Sequence, residues 1–354
     1  MDDVKLKDVC KINMGQSPDS DSYNDNGHGV PFFQGNADFG ERYPITRKWC
    51  SAPNKMAAPE DILISVRAPI GAMNYAKEEC CIGRGLAALT PNREKVSPEY
   101  IFWLLKGKNE ELNSKGTGST FKAIGRNILE ETLVPDISLE KQNECSIILE
   151  KTYRVILLRK QQLQKLDELV KARFVELFGD PLKNEKCLPT VSGEALFKLS
   201  NGKALPNNKR FSTGIPAYGG NGISWYTDEI LCNYDTIVVG RVGFQSGNVH
   251  LVKAPFWVTD NAMYISYINS RECDIRYLCA LMEHIDFTRY QDAGDLKKIT
   301  QKPFMQMQYL MPPLPLQKQY IAFVEQVDKS KVAVQKALDE AQLLFDSLMQ
   351  KYFE

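Results

Sequence analysis

An internal duplication is the feature that most limits the folds open to this chain of 354 residues. The stretch LVPDISLEKQ at residues 133–142 returns as LMPPLPLQKQ at residues 310–319, with Leu, Pro, Leu, Lys and Gln at the same five places. Repetition at a spacing of about half the chain indicates two copies of one structural unit. We therefore expect two similar halves rather than one large domain.

The resemblance between the halves extends upstream of this phrase. GVPFFQGN at residues 29–36 matches GIPAYGGN at residues 214–221. DILISVRAPIG matches DTIVVGRVGFQSG, which aligns Arg67 with Arg241, and PEYIFWLL matches IRYLCALM, which aligns Tyr100 with Tyr277. The order of the matches is the same in both halves, as a tandem duplication requires.

In each half the pattern of residue types changes at the repeated phrase. Before it, short apolar runs such as DILISV and DTIVVGRV are separated by clusters of Gly, Pro and Asn, which is typical of short strands joined by loops. After it, residues 139–178 and 316–353 contain neither Gly nor Pro. The pattern predicts a mostly β head followed by a long helix, and the sequence FGDP after the first helix is a typical stop signal.

Both predicted helices carry apolar residues at heptad spacing, which is the pattern of a coiled-coil seam. In the second helix Lys331 interrupts this pattern. Two such helices can bury their seams against each other, and an antiparallel arrangement lets the chain build a head between them. The predicted seam residues are Leu149, Ile156, Leu163, Val170, Val327, Val334, Leu338 and Phe345.

The predicted fold class is α+β, with two mostly β heads, each followed by a long helix. The two helices pack as an antiparallel coiled coil, and a pseudo-two-fold axis relates the halves. The heads would then lie at opposite ends of the helical pair. The predicted boundaries are 1–135 for the first head, 136–180 for its helix, 181–312 for the second head and 313–354 for its helix.

Composition removes several classes of protein. Lys plus Arg and Asp plus Glu both number 44, so net charge indicates no nucleic-acid partner and any basic surface must be local. The nine cysteines and three histidines form no zinc-binding pattern, so we expect reduced thiols and no metal. The absence of a long apolar run or a signal-peptide pattern predicts no membrane span and a cytoplasmic location.

Common catalytic motifs are missing from the sequence. It contains no HExxH, GxSxG, GxxxxGK[ST] or GxGxxG. MPPL at residues 311–314 superficially resembles the Asn/Asp-Pro-Pro-aromatic motif of amino-methyltransferases but lacks its polar residue and its aromatic, so we interpret it as a helix start. The sequence therefore predicts a protein without catalysis of its own.

Polar loops with local basic charge are the remaining candidates for function. Residues 106–126 hold five basic residues against two acidic ones, and residues 289–302 hold four against two, at the same place in each half. Lys, Ser, Thr and Gly donors suit phosphate contacts, although solvated flexible loops would look the same. Asn and Gln can pair with adenine, and Arg with guanine, in the major groove. The candidate DNA-contacting residues are Gln34, Asn36, Arg67, Arg84, Ser119, Lys122, Asn221, Arg241, Ser246, Asn261, Lys297 and Lys298.

These residues can also be explained by structural roles that involve no DNA. The amides also suit turns, and the two aligned arginines, Arg67 and Arg241, could form salt bridges at the rim of a sheet. Four aromatic residues of the second half are predicted to belong to the core rather than to a stacking surface. They are Trp225, Tyr226, Phe256 and Trp257.

Taken in order, these features resemble a specificity (S) subunit of a type I DNA restriction-modification system. The matching features are YGGNGISWY, VGRVGFQSGNVHLVKAPFWVTDNAMY, the P-L-x-K-Q helix start and ELFGDP at the end of the first helix. The first half departs from the pattern, with CIGRGLAAL where the second has WVTDNAMYI. Two target-recognition domains that read different sequences would differ in this way.

The resemblance implies a subunit that reads a bipartite, asymmetric site in double-stranded DNA. It also implies two adenine-N6 methyltransferase subunits held on the helices, and restriction endonuclease/translocase subunits that join the complex. S-adenosylmethionine, ATP and Mg²⁺ would bind to those partners, so we expect no cofactor on this chain. Two rivals stay open: a self-contained methyltransferase, and a coiled-coil scaffold whose two β-rich heads bind proteins.

Overall fold

A computed structural model of the chain describes residues 3–118, 122–294 and 297–353. The chain divides into two compact units, which are described separately below. Unit 1 comprises Met1–Lys160 with Lys336–Glu354, and unit 2 comprises Gln161–Gln335. Each unit thus contains one head together with part of both long helices, so the grouping in space differs from the order along the chain.

Unit 1 is built around a four-stranded antiparallel sheet of order β2-β10-β7-β8, beside a mixed sheet of order β3-β5-β4-β9-β6 and the pair β1-β11. The strands are β1 Asp3–Lys5, β2 Cys10–Met14, β3 Tyr23–Asn24, β4 Val30–Phe33, β5 Trp49–Cys50, β6 Met56–Ala57, β7 Ile62–Ser65, β8 Met73–Tyr75, β9 Cys80–Ile82, β10 Leu86–Pro91 and β11 Leu133–Pro135. The helices are α1 Leu6–Val9, α2 Pro98–Gly107, α3 Asn109–Ser114, α4 Arg126–Glu130 and α5 Leu139–Phe178, the last of which continues into unit 2.

Unit 2 repeats this architecture with a smaller second sheet. Its main sheet has the order β13-β19-β16-β17, accompanied by β15-β14-β18 and the pair β12-β20. The strands are β12 Thr190–Ser192, β13 Phe197–Asn201, β14 Ile215–Gly219, β15 Gly222–Thr227, β16 Thr236–Gly240, β17 Val249–Val252, β18 Trp257–Val258, β19 Ala262–Ile268 and β20 Gln308–Leu310. The helices are α6 Gly193–Leu196, α7 Ile275–Glu283, α8 Lys302–Gln306 and α9 Leu314–Phe353, the last of which continues into unit 1.

The central strand of each main sheet explains its continuous apolar sequence. In β7, Ile62 and Ile64 join one buried cluster with α2, whereas Leu63 joins another on the opposite face. The same alternation occurs in β16, where Val238 faces away from its two neighbours. Side chains of a strand alternate between faces, so a run buried on both sides must be apolar throughout. The predicted duplication is confirmed at the level of sheet order and core.

The structure corrects one alignment made from sequence. The carbonyl of Val66 accepts a hydrogen bond from Ile124 at 2.9 Å, and the carbonyl of Arg241 accepts one from Ile299 at 3.0 Å. Arg241 therefore occupies the place of Val66, and Arg67 corresponds to the residue after Arg241. The loop that follows is one residue longer in unit 2. Aligning the two identical residues, Arg67 and Arg241, hid this difference in length.

The helix bounds follow the Gly- and Pro-free segments. The first helix ends at Phe178, where Gly179 adopts a left-handed conformation (φ +75°) and its N–H bonds Val175 at 2.8 Å. The second helix begins at Leu314, two residues earlier than residue 316, because Pro is tolerated in a first helical turn.

Within each unit the segments of the two long helices pack together. In unit 2 the Nζ atom of Lys331 lies 2.6 Å from Asp167 Oδ1, and the rings of Phe178 and Tyr320 lie 5.6 Å apart. Phe178 follows Asp167 by eleven residues on α5, whereas Tyr320 precedes Lys331 by eleven residues on α9. The two helices therefore run antiparallel. Lys331, the predicted interruption of the seam, is satisfied by a carboxylate of the facing helix. A polar group at such a position favours one register over others.

The predicted seam residues lie along these contacts. In unit 1 the rings of Tyr153 and Phe345 lie 5.7 Å apart, and Trp103 of α2 contacts both. The buried residues of the set are Leu149, Ile156, Val327, Val334, Leu338 and Phe345, and the half-buried ones are Leu163 and Val170. All nine cysteines are free thiols, and Cys187 is the one that is exposed.

A buried glutamine fastens each long helix to the head before it. The Gln142 Oε1 atom accepts the N–H of Ser97 at 2.8 Å, and its Nε2 donates to the carbonyl of Ile137 at 2.8 Å. Ser97 directly precedes α2, whose apolar face packs on the main sheet of unit 1. The side chain thus joins the start of α5 to the start of α2.

In unit 2 the equivalent residue is Gln317, not the Gln319 that matches in the repeated phrase. Gln317 Oε1 accepts the N–H of Asp274, which directly precedes α7, at 2.9 Å. Its Nε2 donates to the carbonyl of Pro312 at 2.8 Å. Gln142 and Gln317 both lie three residues into their helices, whereas Gln319 is exposed. The residue that aligns with Gln142 in sequence, Gln319, is therefore two residues away from its structural equivalent, Gln317.

We predict that Gln317→Leu lowers the free energy of unfolding by about 1–3 kcal/mol, because it leaves a buried N–H and carbonyl groups without partners. Gln319→Leu, the same change two residues away on the exposed surface, should alter it by less than about 0.5 kcal/mol. Urea unfolding followed by circular dichroism measures both. Equal losses in the two variants would show that the displaced register is wrong.

Candidate nucleic-acid interface

Loop ends from three parts of unit 1 meet along one edge of the head. The N–H of Gly85 bonds the carbonyl of Gln34 at 3.2 Å, and the carbonyl of Gly85 accepts from Val66 at 2.9 Å. These backbone bonds place Gln34, Arg84 and Arg67 on neighbouring segments. All three side chains are exposed.

Ser17 is the centre of a small polar cluster on this edge that sequence reasoning missed. Its Oγ accepts from Gln34 Nε2 at 2.9 Å and from Arg84 Nε at 3.3 Å. Glycines flank Arg84 because a Cβ at Gly83 would lie 2.8 Å from the Gln34 side chain, and one at Gly85 would lie 2.4 Å from the Gln34 carbonyl. Close backbone approach thus explains the sequence GRG and holds the arginine outward.

The loop of Lys122 joins the same edge. Its carbonyl accepts the N–H of Ala68 at 3.0 Å, and the next residue forms a bridge with Arg67. Asn36 is half-buried in a 3₁₀ turn that spans Asn36–Asp38. Ser119, the remaining candidate of the first half, lies outside the described residues.

Unit 2 assembles the corresponding edge with different side chains. Asn221 is exposed at the tip of the β14–β15 hairpin, in the two-residue turn closed by the pair Gly219 and Gly222. Gly222 has φ +96°, a conformation that favours glycine. A Cβ at Gly220 would lie 2.8 Å from the Val242 carbonyl, so the hairpin tip packs closely on the loop after β16.

The remaining basic candidates of unit 2 share that loop. The N–H of Arg241 bonds the carbonyl of Asn261 at 2.9 Å, and the N–H of Gly243 bonds the carbonyl of Lys297 at 2.8 Å. Lys298 forms a bridge with the residue before Gly243. Asn261 and Lys298 are exposed, while Arg241 and Lys297 are half-buried.

Ser246 is a correction to the candidate set. Its side chain is fully buried, because it takes the place that Ile70 occupies in unit 1. Its carbonyl accepts from Gln291 Nε2 at 2.7 Å, so the residue belongs to the support of the loop. A buried hydroxyl in this position does not reach a base edge.

Basic residues on the two edges differ from several other basic residues of the same segments, which form ion pairs. None of Arg67, Arg84, Lys122, Arg241, Lys297 and Lys298 forms an ion pair with any residue that the structure describes. By contrast, Lys108 and Lys115 both pair with Glu111, and Arg289 pairs with Asp286 at 3.2 Å. The edges where the loop ends meet thus present basic side chains that are not used in ion pairs within the described structure.

The predicted basic loop at residues 106–126 is mostly not a loop. Helices α2 and α3 cover its first part, and Arg126 opens α4. Burial lowers the pKa of Lys106 to about 8, with Lys160 acting in the same direction and Glu150 opposing it. The Lys106 ammonium lies 3.7 Å from the centre of the Tyr153 ring. Of this stretch, Lys122 remains as an exposed base on the edge.

The aromatic residues of unit 2 only partly follow the core prediction. Phe256 and Trp257 are buried as expected, and Tyr226 is half-buried. Trp225 is 45% exposed, with the Arg210 guanidinium 5.1 Å from its ring centre. Phe244, which sequence reasoning passed over, is 91% exposed in the loop beside Lys297. Its glycine-bracketed sequence, GFQSG, was the available signal of a turn that holds an aromatic outward.

The family model described as "Type I restriction modification DNA specificity domain" matches residues 1–168 and again residues 191–341. The chain belongs to this family.

Two relatives from Methanocaldococcus jannaschii are named as type I restriction enzyme specificity subunits. The MjaX protein is 41% identical over 161 residues, which are 46% of this chain and 38% of that protein. The MjaIX protein is 29% identical over 196 residues, which are 51% of this chain and 45% of that protein. The chain thus spans less than half the length of these curated relatives.

The fold matches that of a solved structure over the whole chain. The S subunit of a type I restriction-modification system from M. genitalium aligns with 100% of this chain and 96% of its own, with a TM-score of 0.67 at 15% identity. The HsdS subunit from Thermoanaerobacter tengcongensis is 45% identical over 42% of this chain and 36% of its own, with a TM-score of 0.39.

In the part of the chain that the structure describes, no group of three or more His, Cys, Asp or Glu residues is arranged to hold a metal ion. None of the helices within residues 3–118, 122–294 and 297–353 combines the length and apolar character of a membrane span.

Proposed function

We propose that this protein is the DNA-reading subunit of a type I restriction-modification complex, and that each unit contacts one half of a bipartite site. The observation that carries the proposal is the edge on each head where three basic side chains without ionic partners lie beside exposed amides. Such bases can neutralise phosphates without first breaking an ion pair. Family membership supports the same assignment.

The two edges suit different base sequences. Unit 1 presents Gln34 with Arg67 and Arg84, which can pair with adenine and guanine respectively in the major groove. Unit 2 presents Asn221 and Asn261 on loop ends that are joined by backbone hydrogen bonds equivalent to those of unit 1. A common support with different side chains would give an asymmetric site with one half for each head.

Chemistry in the proposed complex resides on partner subunits. Two methyltransferase subunits would bind S-adenosylmethionine, and the restriction subunits would bind ATP and Mg²⁺, so this chain acts as the non-catalytic subunit. Its place of action is the cytoplasm, where bacterial and archaeal DNA is exposed.

Exposed apolar residues on the helices support a docking role for them. In unit 1, Ile148, Val155 and Leu158 of α5 share one exposed face, and Leu343 of α9 is also exposed. Spacings of seven and three residues place side chains on one helix face. Contiguous exposed apolar surface of this kind marks a protein interface, and methyltransferase subunits are the proposed occupants.

DNA binding is tested with Lys297→Ala/Lys298→Ala. The affinity of the wild-type complex for duplex DNA should fall linearly in a plot of log affinity against log salt. The double variant should bind all sequences more weakly and flatten this slope by up to about one unit per lost phosphate contact. Arg289→Ala, which removes an ion-paired base of the same segment, is the matched control and should leave the slope unchanged.

Two results would contradict this assignment. A changed base preference at constant salt slope would place the lysines on base edges. Absence of salt-dependent DNA binding by the wild-type protein would favour the alternative, a scaffold whose heads bind proteins.

Docking on the helices is tested with Leu158→Glu/Leu343→Glu. Charges on this apolar surface should weaken association with the methyltransferase subunits by roughly tenfold or more, equivalent to about 1.4 kcal/mol. Leu158→Met/Leu343→Met keeps the surface apolar and should associate normally. Analytical ultracentrifugation measures both, and unchanged association of the Glu variant would remove the helices from the interface.

Modularity predicts the outcome of a head exchange. Replacing residues 29–132 with the matching segment of another specificity subunit should alter one half-site and preserve the other, because the exchanged edge is built entirely within unit 1. Methylome sequencing reads both halves at once. A simultaneous change in both would mean that the heads do not read independently.

A further inference from the structure

Phe244 is an aromatic side chain that the fold leaves in water. It is 91% exposed, more than any other large apolar residue recorded for the described part of the chain. Burial of an apolar side chain stabilises a fold, so this residue gives up most of the stabilisation available to it. An aromatic ring that does not serve its own core is available to a ligand.

The loop that carries Phe244 is held in place. The N–H of Ser246 bonds the carbonyl of Gly243 at 3.0 Å, which closes a tight turn around residues 244 and 245. Gln291 Nε2 donates to the carbonyl of Ser246 at 2.7 Å and to that of Phe244 at 3.4 Å. Buried Ser246 anchors the far side. The ring is therefore presented by a supported turn, which lowers the entropy lost on binding.

The surroundings of the ring identify its partner as nucleic acid. The turn is bonded to the backbone of Lys297, and Arg241 begins the same loop. None of Arg241, Lys297 and Lys298 forms an ion pair with a carboxylate that the structure describes, although the Arg241 guanidinium donates to the carbonyl of Asp260 at 3.3 Å. An apolar protein partner would have to cover these charges, whereas the phosphates beside a base step would pair with them.

We propose that Phe244 inserts as a wedge between two neighbouring base pairs of the half-site contacted by unit 2. This inference rests on the proposed DNA-reading function and adds a residue that reads the deformability of the DNA. Apolar side chains that enter a base step unstack it partly and kink the duplex, and flexible pyrimidine–purine steps yield most easily. Unit 2 would thereby favour such a step without hydrogen bonds to its bases.

Unit 1 supplies an internal control for this mechanism. Its corresponding loop follows β7 with the sequence RAPIG, in which Ile70 is buried and Pro69 is exposed. It carries no aromatic ring. The wedge should therefore act on one half-site only, and the two halves of the bound DNA should differ in stacking.

The test uses the complete complex without S-adenosylmethionine and a duplex that carries the site mapped by methylome sequencing. 2-Aminopurine, which pairs with thymine, replaces one adenine at a time in both half-sites, except the adenines that are methylated. The fluorescence of 2-aminopurine rises when it unstacks. The wild-type complex should show a severalfold rise at one step of the half-site assigned to unit 2, and no such rise in the other half-site.

Substitution then assigns the rise to the ring. Phe244→Ala should abolish it and weaken binding about tenfold, within the range measured for loss of one aromatic–base stack. Phe244→Leu should retain part of the rise, because an aliphatic wedge can also enter a step. Pro69→Ala should leave it unchanged. Both Phe244 variants should melt at the wild-type temperature, since Phe244 makes little contact with its own core.

A rise that persists in Phe244→Ala overturns the wedge. So does a Phe244→Ala complex that binds DNA as tightly as the wild type but loses its methyltransferase subunits, which would place the ring in a protein interface. Failure of the wild-type complex to bind any duplex is a different result, and it would overturn the proposed function itself.

Discussion

The hydrogen bonds of one buried glutamine per unit determine how a long helix can leave its head. Gln142 and Gln317 each connect the first turn of a long helix to the backbone just before the helix that covers the main sheet. Because the bonds are buried, a shifted helix would leave several polar groups without partners, at a cost of about 1–3 kcal/mol for each group. The direction of the long helix is thus fixed relative to the core of the head. Within each unit, a surface on the helix therefore keeps a fixed position relative to a surface on the head.

The duplication preserved the backbone connections of the two heads, whereas many side chains on those connections have changed. Backbone bonds that join the loop ends recur in both units, as do the buried Tyr100 and Tyr277. Side chains on the recurring frame diverge, so that Val66 corresponds to Arg241 and Ile70 to Ser246. A backbone network tolerates such changes because its hydrogen bonds do not depend on the side chains. This is a physical basis for changing what a head recognises while keeping how it is built.

Sequence reasoning succeeded where a signal was local and failed where it depended on register or exposure. The bounds of the first long helix follow from the absence of Gly and Pro between its ends and from the left-handed Gly179, which are local properties. Matching letters misplaced Gln319 and Arg67, because a loop one residue longer or a helix starting two residues earlier keeps the letters while moving the side chains. Phe244 and Ser246 were misjudged because burial is decided by tertiary neighbours. Ser119 lies outside the described residues, so that candidate stays a prediction.

Charge distribution shows why total composition concealed the interface. The 44 basic and 44 acidic residues cancel over the whole chain. Ion pairs within the helices and their flanks, such as Lys331 with Asp167 and Arg173 with Glu176, use charges of both signs for structure. The loop edges instead hold basic side chains that form no ion pair with any residue that the structure describes. Because the Debye length at physiological salt is about 8 Å, a phosphate at such an edge interacts with the local charges and hardly with the chain as a whole. A neutral protein can therefore present two basic surfaces, provided that its acidic residues are paired elsewhere.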